Sequence, residues 1–169
     1  MAAISGVELK RPIWQTTGIF TLAFWLSSSL ILDLVIMPSL YATGMMTQAG
    51  FATAGYSIFW IFNRIELVCA ALVLTSILAV QSTQQPSSKG TNSSIILSVI
   101  LLGIALIYTY FLTPEMSALG LQLNLFNSTT VIPANMNQMH VGYWLLEAIK
   151  LIGCSTLLGL CYRNSNSVE

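Results

Sequence analysis

The chain has 169 residues, 55% of them hydrophobic and only 7% charged, against roughly 25% charged in an ordinary soluble domain. Six basic residues balance six acidic ones, so the basic footprint of a nucleic-acid binder is missing. What this composition allows is a single all-α integral membrane domain over 1–169.

Four apolar runs succeed one another, over 13–38, 55–80, 95–113 and 139–162. Each is close to or above the roughly 20 residues that a helix needs to span the hydrocarbon core. In lipid the backbone has to satisfy its own hydrogen bonds, so all four are predicted to be helices. The first run comes after Lys10 and Arg11 but is too long for a signal-peptide core, and it reads as an uncleaved anchor. Pro38 and Pro114 fall at the ends of the first and third runs, where a helix stops without losing interior bonds. The segments 81–94 and 114–138 are predicted to be loops, with "LGLQLNLF" (119–126) resting on the membrane surface.

Orientation is read from charge. Lys10, Arg11, Lys89 and Arg163 all fall on one side of the four-span topology, and the 41–53 and 114–138 connections contain neither Lys nor Arg. The positive-inside rule then places both termini and the 81–94 loop in the cytoplasm or stroma. Reporter fusions at Lys89 and after Arg163 should therefore be cytoplasmic, and those at Thr47 and Asn127 external. A cytoplasmic Asn127 fusion would overturn this orientation.

Ionisable residues inside the spans are the unusual feature, because a charge at the bilayer centre costs at least ~2.5 kcal/mol. Asn63, Arg64 and Glu66 lie in the second run, and Glu147 and Lys150 in the fourth. At about 1.5 Å per residue, all four charges fall in one layer near the midplane, and they sum to zero. Arg64 is predicted to pair with Glu147, the carboxylate nearest its depth, and Glu66 with Lys150 or with Asn63-linked water. Arg64 and Glu66 are about 200° apart on their helix, so this pairing requires the long arginine stem to bend round toward a neighbour. Helix one adds Trp25, Ser29, Asp33 and Met37 at four-residue steps. Asp33 is expected about one turn below the outer surface, where snorkelling is cheap. In helix four, His140, Glu147, Cys154 and Cys161 recur every seven residues, with Tyr143 and Lys150 on the same stripe. Asp33, Asn63, Arg64, Glu66, Glu147 and Lys150 thus form a candidate polar core in the bundle interior. Such charges either pin helix register or mark an ion path.

The methionines beyond Met1 gather on the outer side. Met37, Met116, Met136 and Met139, together with His140, are the soft ligands that Cu(I) prefers, and methionine is also a common apolar filler. The lone histidine excludes bis-histidine haem. No Gly-rich phosphate loop, H-E-x-x-H or G-x-S-x-G motif is present, so the chain is expected not to be an enzyme.

The segments "FWLSSSLILDLVIMPSLYATGMM", "FNRIEL", "YTYFLTPEM" and "MNQMHVGYWLLEAIKL" resemble a family of small four-helix membrane proteins of unknown function, common in cyanobacteria and other bacteria. That family is distantly similar to the membrane part of CopD-type copper-resistance proteins. The resemblance spans Trp14 to Arg163 and implies a bacterial inner-membrane or thylakoid-membrane protein with a metal-linked role. The sequence supports two functions. One is ion or metal handling by a polar intramembrane core. The other is a structural or assembly subunit of a larger membrane complex, in contact with other subunits or with itself.

Overall fold

In the computed structural model, residues 13–45, 48, 50–83, 89–118 and 134–166 are described. They form four long helices, α1 (Ile13–Ala42), α2 (Phe51–Thr83), α3 (89–118) and α4 (Ala134–Asn166). Each contains a stretch long and apolar enough to cross a bilayer. The protein is therefore a multi-pass, four-helix membrane bundle. α1 packs on α2 and α4, and α3 packs on the same two helices, which gives a four-cornered arrangement of alternating direction. The bundle has a terminal end, where α1 begins and α4 stops, and a loop end opposite it.

The exterior is apolar. Phe20, Phe24, Leu34, Val35, Ile61, Val68, Ile149 and Ile152 are exposed, as expected where the surrounding solvent is lipid. The interior is stratified. Leu22, Trp25, Cys69, Ala70, Val73, Leu101, Ala105, Cys154 and Leu157 form an apolar core toward the terminal end. Helices approach closely there. A Cβ on Gly18 would lie 3.2 Å from Ser76 Cβ, and one on Gly153 would lie 3.0 Å from Leu101 Cδ2. Small residues at helix contacts supply the van der Waals packing that holds membrane bundles together.

The helices run past the apolar segments that predict them. Residues 81–83, 89–94, 114–118 and 134–138 are helical, where loops are expected. The surface segment proposed for 119–126 lies outside the described residues, as does most of the 81–94 loop's centre.

Neither proline ends its helix. α1 contains a π-helical turn over Leu32–Ile36 and continues through Pro38 to Ala42. α3 contains one over Tyr108–Leu112 and continues through Pro114 to Ala118. The register is the same in both, with a five-residue π-turn, one intervening residue and then the proline. Met37 N–H donates to Leu32 O, and Thr113 N–H to Tyr108 O. A proline inside an α-helix removes one bond and pushes its ring against the carbonyl four residues back. A π-turn just before it widens the backbone at that point, so the helix continues. Single π-turns of this kind concentrate at functional sites, and Asp33, Tyr108 and Thr109 lie within these two.

Candidate functional site

The polar core occupies the middle of the bundle and the half toward the loop end. Lys150 is at the centre of the α4 span Asn137–Arg163, and Glu66 is close to the centre of the α2 span Thr53–Ser82. Both are almost fully buried, at 2% and 1% exposure. They form an ion pair through Lys150 Nζ and Glu66 Oε1. The same carboxylate oxygen accepts from Trp25 Nε1 and Ser29 Oγ, each at 3.0 Å. Glu66 thus draws donors from α1 and α4 onto α2, and the four-residue step from Trp25 to Ser29 aims both of them at it.

Lys150 also reaches Glu147 Oε2 at 2.8 Å, along the i,i+3 spacing of α4. Tyr108 OH donates to the same Oε2 at 3.1 Å and also lies 3.1 Å from the main-chain carbonyl of Tyr143. One turn further toward the loop end, Tyr143 OH donates to Asp33 Oδ1 at 3.0 Å. The rings of Tyr108 and Tyr143 lie against each other with centroids 5.3 Å apart. Asn63 ties α2 to α3. Its Nδ2 donates to Thr113 Oγ1 and to Tyr108 O, while Thr109 Oγ1 donates to the Asn63 carbonyl. The whole forms a ladder over four helices, running from Glu66 and Lys150 through Glu147 to Asp33 and Tyr143.

The ladder is incomplete in its middle. Glu147 is buried, yet its Oε1 has no hydrogen-bond partner. Its close electrostatic neighbours include the Asp33 carboxyl. Two ionised carboxylates are both acceptors only and cannot bond to each other.

Of the six residues expected in the polar core, Asp33, Asn63, Glu66, Glu147 and Lys150 are buried in the interior. Of the two partners expected for Glu66, Lys150 is the one that pairs with it. Two readings need correction. The first is Arg64. It makes no pair with Glu147 but stays on the exposed face of α2. There its Nη1 donates to Trp60 O at 3.1 Å, and its guanidinium lies 3.5 Å from the centre of the Trp60 indole. Glu66 faces inward, held by three donors, and the 200° offset leaves Arg64 outside. The second is Asp33, which does not snorkel at the surface. Because α1 continues beyond Pro38, Asp33 is deeper than a helix ending there would place it, and it is 4% exposed. Sequence reasoning missed Tyr108 as a member of the network. Nothing in "YTY" separates Tyr108, which is buried, from Tyr110, which is exposed.

At the loop end, Met37, Met116 and Met139 are half-buried and His140 is exposed. Met136 is helical, but its side chain is outside the described residues. Among the described residues, no group of three or more His, Cys, Asp or Glu side chains is arranged to hold a metal ion. No family model, no curated protein and no solved structure matches the chain. The resemblance to the CopD-type membrane region therefore rests on its motifs alone, and the protein is placed by its architecture as a four-helix membrane bundle with a buried, hydrogen-bonded ionic core.

Proposed function

We propose that the protein is a non-enzymatic membrane bundle that handles ions through its polar core, and that the ion is the proton. The observation that supports this is a charge imbalance. Three buried carboxyls share one network with Lys150, the one buried cation among the described residues: Glu66 and Glu147 contact it, and Asp33 neighbours Glu147. Fully ionised, the cluster would carry two uncompensated negative charges inside the spans, where a charge at the bilayer centre costs at least ~2.5 kcal/mol. A proton on Asp33 or Glu147 removes one of those charges. It also supplies the donor that Glu147 Oε1 lacks. A charge staple evolved only to fix helix order would need no such excess.

The relay would run between the midplane and the loop end. Glu147 and Asp33 would exchange the proton, and the hydroxyls of Tyr108 and Tyr143 would stabilise whichever carboxyl is ionised. The test is infrared spectroscopy of the protein in lipid discs at neutral pH. The expected result is a carbonyl stretch from a protonated, buried carboxylic acid, lost or shifted in Glu147→Gln and Asp33→Asn and unchanged in Glu115→Gln, whose parent residue is exposed. In proteoliposomes, Asp33→Asn should slow the decay of an imposed pH gradient. Absence of any protonated carboxyl band in the wild type would overturn the proposal.

An assembly role is the second reading, and the outward-facing Arg64 favours it. A soft-metal role for Met37, Met116, Met136, Met139 and His140 rests on ligand softness alone. It predicts Cu(I) binding that His140→Ala and Met139→Leu together abolish.

A further inference from the structure

Arg64 is a cation facing lipid near the middle of a span. It lies about 5 Å from the centre of Thr53–Ser82 along the helix axis. A hydrocarbon core of roughly 30 Å puts the headgroup boundary about 10 Å further off. Among the described residues no carboxylate pairs with it; its contacts are the carbonyl and ring of Trp60. The side chain opens onto a groove of about 480 Å³ on the seam between α1 and α2. Phe24, Trp60, Ile61 and Val68 wall it, all of them exposed. The groove's surface is wholly apolar, Arg64 contributing only to its wall, and the guanidinium lies beside it over Trp60, which fixes where the charge sits.

We propose that this groove is the docking face for a transmembrane helix of a different membrane protein, one that carries a carboxylate near its midpoint. Charge complementarity selects that occupant. A helix lying in the groove would cover apolar walls that lipid covers equally well, so the gain comes from pairing the guanidinium, which carboxylates bind in bidentate fashion. Among the described residues, a second copy of this chain offers no carboxylate that fits. Asp33, Glu66 and Glu147 are buried in their own bundle, and the exposed Glu115 lies about one turn from the loop end of α3, where Arg64 is about three turns from that of α2. A two-fold pairing of the groove with itself would set Arg64 against Arg64. This inference does not depend on proton handling by the core.

The test uses synthetic leucine–alanine transmembrane helices with Glu, Gln or Leu at the central position, and measures their association with the full-length protein by energy transfer in phosphatidylcholine vesicles. The Glu helix should bind wild type roughly tenfold more tightly than the Gln or Leu helix, the scale of interhelical polar contacts in model membranes. The preference should persist in Arg64→Lys, vanish in Arg64→Gln, and invert toward a Lys-centred helix in Arg64→Glu. Circular dichroism and thermal melting identify any variant that fails to fold, and Arg64→Lys keeps the comparison usable if Arg64→Gln does. Equal binding of all three helices to wild type would overturn the proposal. So would Arg64-dependent enrichment of phosphatidylglycerol around Trp60 without helix preference, which would make an anionic lipid the occupant. Self-association of wild type that Arg64→Gln abolishes would overturn it in favour of a second copy.

Discussion

Lys150→Met should be among the most damaging single substitutions in the bundle. Lys150 is the only cation touching Glu66 and Glu147 among the described residues, and all three are buried. Removing one partner of a buried ion pair typically costs ~3–5 kcal/mol, because the survivor keeps its desolvation penalty and loses its compensation. Here two carboxylates are stranded at once. The expected result is a large loss of folded yield and of melting temperature in detergent. Adding Glu66→Gln and Glu147→Gln to Lys150→Met should restore most of the loss, since amides fill similar volumes without charge. A triple variant as unstable as Lys150→Met alone would show that packing, not charge, accounts for the loss.

Much of this architecture is legible in the sequence, and the remainder is hidden for identifiable reasons. Four spans can be read from hydropathy because lipid imposes one rule on every backbone group. The common depth of Glu66, Glu147 and Lys150 comes from counting residues along helices of known rise. Direction around a helix is harder where two charges lie two residues apart. Arg64 and Glu66 cannot share a face, and only their neighbours decide which turns inward. Trp25, Ser29 and Lys150 supply three donors to Glu66, whereas Trp60 offers Arg64 a ring and a carbonyl on its own helix. Pro38 conceals the depth of Asp33. A proline reads as a stop signal, and the π-turn that carries α1 past it leaves no mark in residue type.

The paired π-turns also shape the site itself. An extra residue in one turn rotates the C-terminal part of the helix relative to the N-terminal part, breaking the alignment that a regular helix would keep. In α1 the break falls within the Trp25–Ser29–Asp33 stripe, so Ser29 faces Glu66 while Asp33 meets Tyr143 on α4. In α3 it falls at Tyr108 and Thr109, which reach α4 and α2 respectively. The two helices that carry no acidic or basic residue in the midplane layer thus supply the hydroxyl, indole and carboxyl groups that surround it.

A double-mutant cycle between Trp25 and Glu66 should locate the ionised carboxyl. Glu66 Oε1 receives an ammonium, an indole N–H and a hydroxyl, an arrangement that favours a carboxylate. Glu147 Oε1 receives none. If the cluster's proton is on Glu147 or Asp33, the Trp25 bond is charge-assisted. Hydrogen bonds to charged groups contribute about 1.5–3 kcal/mol, while ordinary side-chain bonds between membrane helices average about 0.6 kcal/mol. Trp25→Phe keeps most of the ring and deletes the donor; Glu66→Gln keeps an acceptor and deletes the charge. Folding free energies of wild type, both single variants and the double should give a coupling of about 1–2.4 kcal/mol, the difference between a charged and a neutral bond. A coupling near zero would put the proton on Glu66. Lys150 would then face Glu147 as its one ionised partner, and Glu66→Gln would be nearly silent by itself. Glu66→Leu, which leaves the buried Trp25 and Ser29 donors without their acceptor and Lys150 with Glu147 alone, should be severe in either case, so only the conservative pair reads the charge.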